Sequence, residues 1–150
     1  MNDRHAKAQR LEGYLQAVAA LRADGTDYAC FDLGTAAPAE SLPALCERLA
    51  LPVAGCTLDL VDAVLPQEFE EMWLLRRIRP MSTSDELRLD RRLVDGFVEE
   101  LRELFDGLPQ WFALRRGAAV PPSANLGAIS DVFVIGRAGA SFAVRCSWDS

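Results

Sequence analysis

The chain has very few of the side chains that build metal sites. Among its 150 residues there is one histidine, His5. Its four cysteines stand at positions 30, 46, 56 and 146, and no two of them have C-x-x-C spacing. Because a tetrahedral zinc site needs suitably spaced cysteine and histidine ligands, we expect no metal site, and we predict no cofactor.

Long apolar runs are also missing. The opening segment MNDRHAKAQR is charged and is not followed by an apolar signal core, and no run approaches the length of a membrane span. We therefore expect no membrane partner. Cysteines stay reduced in a cytoplasm, so we predict a cytoplasmic protein with free thiols.

The sequence contains no recognised catalytic motif. G-x-S-x-G, the P-loop, H-E-x-x-H and G-x-G-x-x-G are all absent. Three close carboxylate pairs exist, but with 22 acidic residues such pairs arise by chance: Asp27 with Asp32, Asp59 with Asp62, and Glu68 with Glu71. The cysteines lack a neighbouring histidine that would activate a thiolate. These observations favour a protein without catalytic activity.

The charge is negative and unevenly distributed. The net charge is −6 and the isoelectric point is about 4.8. Residues 107–150 carry only two acids, Asp131 and Asp149, against four arginines, so the acidity belongs to the preceding segment. A nucleic-acid binder needs a basic face to neutralise phosphates, so we expect no nucleic-acid partner. A basic protein is a compatible partner.

Apolar spacing predicts a mixture of helices and strands. A three- and four-residue spacing predicts helices, and apolar runs or alternation with glycine-rich turns predict strands, whereas residues 57–65 fit either. The predicted helices cover residues 5–23, 39–50, 66–78 and 82–108, and the predicted strands cover 27–33, 110–116, 132–135 and 142–148. We predict one α+β domain over 1–150: two layers, with an antiparallel sheet mainly from the C-terminal third packed on three or four helices.

The C-terminal segment DVFVIGRAGASFAVRCSWDS explains where the helices bury their apolar stripes. Residues 132–135 are continuously apolar, which indicates a strand covered on both faces. Residues 142–148 alternate, which indicates one wet face, and Gly139 suits the turn between the two strands. If the second strand were an exposed edge, it could pair with a second copy, so a homodimer is possible.

The segment 117–130 is the first candidate site. It has no periodicity and contains Pro121, Pro122 and Asn125. Structureless segments of this length inside small domains are usually functional or disordered. Aromatic residues beside such a segment suit a binding surface, so we predict a protein-binding site that includes Trp111 and Phe112. The alternative is that both aromatic residues belong to the core.

A cluster of arginines around Pro80 is the second candidate site. Its members are Arg76, Arg77, Arg79, Arg88, Arg91 and Arg92. Guanidinium groups bind carboxylates and phosphates bidentately, so the cluster is a candidate anion-binding site. Pairing with neighbouring glutamates is an equally good interpretation.

Two functional hypotheses follow. The first is a non-catalytic intracellular protein-binding module with an immunity, antitoxin or chaperone-like role, a comparison that rests on size and charge. The second is a small enzyme or small-ligand-binding protein that uses Asp and Glu groups in a cleft beside segment 117–130. A flat surface with segment 117–130 ordered against it favours the first. A deep pocket that encloses two carboxylates, or one carboxylate and the arginine cluster, favours the second.

Overall fold

The computed structural model describes residues 3–22, 25–75, 84–117, 129–137 and 139–148. In the described part of the chain, two helices alternate with two strands, and further helical elements then precede the last three strands. The elements are α1 (Asp3–Arg22), β1 (Thr26–Gly34), α2 (Leu42–Leu49), β2 (Cys56–Val61), α3 (Gln67–Phe69), a π-helical turn (Glu70–Leu74), α4 (Ser84–Phe105), β3 (Gln110–Arg116), β4 (Ile129–Arg137) and β5 (Ala140–Trp148).

The described strands form one antiparallel sheet in the order β1-β5-β4-β3-β2. Three of the five strands come from the C-terminal third, and the helices pack against the sheet, so the predicted α+β fold is confirmed. The ambiguous residues 57–65 contain β2, whose pairing with β3 joins Leu58 to Leu114. Among the described residues, no helix combines the length and hydropathy that crossing a membrane requires.

The continuously apolar strand β4 lies in the middle of the sheet, as predicted. Phe133 and Ile135 face the larger core, while Val132 and Val134 face a smaller core on the opposite side. β5 is also an inner strand, since it pairs with β1 on one side and β4 on the other. The predicted wet face of β5 is not observed, since Val144 lies in the larger core and Ala143 in the smaller one. β5 therefore does not offer the exposed edge on which the homodimer prediction depended.

The larger core contains an aromatic cluster beneath α1, the π-helical turn and α4. The ring of Phe69 lies 5.5 Å from Phe97, 5.0 Å from Trp111 and 5.6 Å from Phe133, measured between centroids. These four side chains come from α3, α4, β3 and β4. Rings packed at such distances add to the energy of apolar burial, so this cluster joins the helices to the sheet.

The smaller core lies under α2 on the other face of the sheet. Leu45 and Leu49 from α2 pack in one cluster with Phe112 and Val134. Both faces of the central strands are therefore covered. Adjacent residues of β3 point to opposite cores, because side chains alternate across a strand.

The two edge strands of the sheet have different surroundings. Along β1, the backbone N–H of Cys30 donates to Glu12 Oε2 at 2.8 Å, and Gln16 Nε2 donates to the carbonyl of Tyr28 at 2.6 Å. Both side chains belong to α1, which lies beside β1. At this edge, helical side chains thus bond strand groups that β5 does not reach.

Candidate functional site

A groove of about 600 Å³ separates α4 from the segment that follows β2. We call it the α4 groove. It has an apolar part and a charged part, and it is lined by Val64, Leu65, Glu70, Val94, Asp95, Val98, Glu99 and Arg102.

The apolar floor of the α4 groove comes from two elements. Val94 and Val98 are four residues apart and lie next to each other on α4. They flank the side of the helix that buries Phe97, which is fully covered. From the opposite wall, Leu65 packs against the larger core, whereas Val64 keeps 49% of its surface exposed. The floor thus offers apolar surface that another chain can cover.

The rim of the α4 groove is acidic. Glu70, Asp95 and Glu99 contribute carboxylates, and Arg102 is the one cationic residue among the described residues of the lining. Arg102 Nη1 lies 2.7 Å from Glu99 Oε1. That pair neutralises one carboxylate and leaves Glu70 and Asp95 without an ion partner among the described residues. The lining therefore keeps a net negative charge.

The π-helical turn holds the Glu70 wall in place. The N–H of Leu75 donates to the carbonyl of Glu70 at 2.8 Å, the five-residue spacing that widens the turn. The Tyr28 hydroxyl donates to the carbonyl of Trp73 at 2.6 Å, and Trp73 Nε1 donates to Asp131 Oδ2 at 2.7 Å. Two strands thus fix this wall through Trp73.

The aromatic residues predicted for protein binding are buried. Trp111 has 0% and Phe112 has 6% of its surface exposed, so neither contributes to the described surface. They are adjacent residues of β3, and each points into a different core. The core interpretation is therefore the one that the structure supports. Pro121, Pro122 and Asn125 lie outside the described residues.

The arginine cluster is described only in part. Arg91 and Arg92 are exposed on α4. Arg76, Arg77 and Arg79 lie outside the described residues, as does the side chain of Arg88. Neither described member lines the α4 groove, so its arginine, Arg102, was not one that the sequence singled out. Anion binding by the cluster stays a prediction.

None of the six carboxylates that pair in the sequence lines the α4 groove. Asp32 pairs with Arg4 at 3.2 Å, and Arg115 lies 3.5 Å from both Asp59 and Glu68. Asp27 and Glu71 instead accept hydrogen bonds from Gln16 and Gln67. Within the described part of the chain, no group of three or more His, Cys, Asp or Glu residues could hold a metal ion.

The four cysteines are buried free thiols. Burial, reinforced by the charge of Glu12, raises the pKa of Cys30, and burial likewise raises the pKa of Cys146. Burial and the neighbouring Cys56 thiol raise the pKa of Cys46 to about 11. A nucleophilic cysteine needs a lowered pKa, so these three thiols are suited to the core and not to covalent chemistry.

No family model, curated protein or solved structure matches this chain.

The α4 groove was not recognised from the sequence. Its lining comes from segment 64–70 and from α4, which are distant along the chain. Val94 and Val98 were a usable signal, since they place apolar side chains next to those of Phe97 and Leu101, which α4 buries. When the apolar stripe of a helix is wider than its contact with the core, the extra width indicates a second neighbour or a groove.

Proposed function

We propose that this chain is a non-catalytic protein-binding module whose α4 groove takes a basic, amphipathic segment of another protein. The observation that carries the proposal is the composition of the groove. Apolar Val64, Val94 and Val98 lie beside the carboxylates of Glu70 and Asp95, which have no ion partner among the described residues.

The division between floor and rim supports this choice of partner. Burying the exposed valine surface provides affinity, because apolar area removed from water contributes about 25 cal/mol per Å². The carboxylates attract cationic side chains and exclude acidic segments. A segment with an apolar face flanked by lysine or arginine satisfies both conditions. The net charge of −6 accelerates its approach.

The thiols support an intracellular setting for this function. All four cysteines are unpaired and buried, a condition that a reducing compartment maintains. An immunity, antitoxin or chaperone-like role is consistent with this interpretation, since each needs a stoichiometric complex and no chemistry.

The test uses a fluorescent amphipathic peptide of leucine and lysine at helical spacing. The double variant Asp95→Arg with Glu99→Arg reverses the rim, and both positions are exposed, so the fold is retained. We expect peptide binding to weaken by about tenfold or more, because cationic side chains then face cations. Fluorescence anisotropy at two salt concentrations measures the change.

The matched control is Glu40→Arg with Glu47→Arg. Both residues are exposed, Glu40 just before α2 and Glu47 within it. Neither lines the groove, and the change in net charge is the same. We expect this control to lose at most the weak, long-range part of the attraction. Equal weakening by both double variants would mean that the peptide senses net charge and not the α4 groove.

A further inference from the structure

The register of the sheet determines which backbone groups of β2 point away from β3. The N–H of Gly117 donates to the carbonyl of Gly55 at 2.6 Å, so Gly55 directs its backbone groups towards the neighbouring strand. Residues of an antiparallel strand alternate between bonding to the partner and pointing outward. Thr57 and Asp59 therefore bond to β3, whereas Leu58 and Leu60 point their N–H and C=O groups outward.

A second hydrogen bond agrees with this assignment. The N–H of Cys56 donates to the carbonyl of Val53 at 3.1 Å, in the turn that precedes the strand. Cys56 has the same parity as Leu58 and Leu60, so its N–H also points away from β3. Within the part of the chain that the structure describes, nothing bonds the outward groups of Leu58 and Leu60.

The side chains along this edge are suited to a further strand. Leu60 is 59% exposed, although it lies beside Leu58, which packs against the smaller core. An added strand that places an apolar residue next to Leu60 would extend that core. Soluble proteins normally protect a strand of this kind, because unpaired backbone groups next to apolar side chains recruit other chains.

The charge at the edge selects the occupant. Asp59 and Asp62 are exposed, and Arg115 is shared between Asp59 and Glu68 at 3.5 Å from each. Two copies of this chain would bring two such acidic edges together, each on a protein of net charge −6. Like charges opposite each other destabilise a strand pair, whereas a lysine or arginine opposite Asp59 stabilises it.

We propose that the outer edge of β2 accepts an extended basic segment of another protein as an additional antiparallel strand. The segment alternates apolar residues, which cover Leu60, with basic residues, which face Asp59. Main-chain hydrogen bonds to Leu58 and Leu60 hold it, and the alternating side chains give specificity. This site is separate from the α4 groove, so it does not require the proposal made for that groove.

The experiment uses a short capped peptide that alternates lysine and valine, together with the same peptide N-methylated at alternate residues. N-methylation removes the N–H donors of one edge and leaves the charge and the side chains unchanged. Fluorescence anisotropy measures the binding of both peptides. We expect the plain peptide to bind, and the methylated peptide to bind about tenfold or more weakly in whichever register it binds best. In NMR exchange measurements, the amides of Leu58 and Leu60 should become protected upon binding.

Two variants locate the site. Leu58→Pro removes an outward N–H, which proline tolerates on an edge strand, and should weaken binding while the β2–β3 pairing is kept. The groove variant Asp95→Arg with Glu99→Arg should still bind the plain peptide more tightly than the methylated peptide. If Leu58→Pro does not fold, the methylated peptide and the exchange measurement on the wild-type chain still show whether the peptide binds at the β2 edge.

Three results would overturn the proposal. One is equal binding of the plain and methylated peptides, which would indicate attraction by charge alone. Another is unchanged exchange at Leu58 and Leu60 when the peptide is bound. The third is a dimer in light scattering that the Leu58→Pro substitution abolishes, which would make a second copy the occupant.

Discussion

The two edges of the sheet solve the same problem in different ways. At β1, Glu12 accepts from the N–H of Cys30, and Gln16 donates to the carbonyl of Tyr28. One acceptor and one donor on α1 thus do the work of a paired strand residue. At β2, no described residue bonds the corresponding groups of Leu58 and Leu60. The side chains of an adjacent helix can thus close a sheet edge in place of another strand, as they do at β1.

Simple geometry explains why a helix can protect β1. Four residues of an α-helix rise about 6 Å, and two residues of a strand extend about 6.8 Å, so the two repeats nearly match. Residues 12 and 16 of α1 are separated by four positions, and their partners in β1, residues 30 and 28, are separated by two. The helix before β2, α2, packs Leu45 and Leu49 into the smaller core. None of its described side chains bonds the outward groups of Leu58 and Leu60.

The largest expected difference between the edges is in the free energy of unfolding. Leu15 is fully buried between α1 and the sheet, so Leu15→Ala should cost about 2–5 kcal/mol. Leu60 is 59% exposed at the other edge, so Leu60→Ala should change stability by about 0.5 kcal/mol or less. Urea denaturation measures both. A large loss for Leu60→Ala would show that the β2 edge is already covered in the free protein.

The next effect concerns the acceptor at the closed edge. Glu12→Ala leaves the N–H of Cys30 without its carboxylate, and we expect a loss of about 1–2 kcal/mol. Glu12→Gln keeps an amide oxygen in the same place and should retain most of that stability. Faster hydrogen exchange at the Cys30 amide should accompany the loss. If the Ala and Gln variants are equally stable, the hydrogen bond contributes nothing at this edge.

A smaller effect links alkaline pH to the cysteines near each edge. The pKa of Cys46, which contacts Cys56 of β2, is raised from an ordinary 9.0 to about 11. A raised pKa in the folded state stabilises the fold fully below the unfolded value, and this contribution disappears as pH rises through the folded value. Stability should therefore fall above about pH 9, by about 1 kcal/mol from Cys46 at about pH 10.

The variant Cys46→Ala tests this assignment through the slope of stability against pH. Removing the thiol should flatten the decline above about pH 9, whatever it does to stability at neutral pH. Leu49→Val, at a core position of the same helix, removes no titrating group and should keep the wild-type slope. An unchanged slope in Cys46→Ala would assign the alkaline loss to other groups. Cys30, at the closed edge, is the next to substitute.

The sequence predicted the parts of the fold whose pattern is local. The continuous apolar run 132–135 indicated an inner strand, and Gly139 with φ of 87° occupies the turn that follows. The fate of Trp111 and Phe112 was not predictable in the same way. Two adjacent aromatic residues on a strand leave one exposed when only one face is covered. Both are buried here because α2 covers the second face, which depends on tertiary packing.

For the candidate site, too, only the features that depend on local sequence could be predicted. Asp95, Glu99 and Arg102 recur at the three- and four-residue spacing of one helix face, which a sequence can show, and the structure leaves them accessible. Their neighbours across the α4 groove, Val64 and Glu70, come from a segment about thirty residues away, so no local pattern joins the two walls. Which outward groups lack partners at β2 likewise depends on pairing register, which composition does not determine.

The widened turn at Glu70–Leu74 makes chain length a determinant of the protein's surface. Trp73 is fixed by Tyr28 and Asp131, so the residues before it take their direction from the number of residues in the turn. Deleting one residue between Glu70 and Trp73 would restore ordinary helical spacing and rotate Glu70 by about 100° around the axis. A homologue with a single-residue deletion at this point would then place its acidic side chains differently on the surface, even if all its other residues were the same.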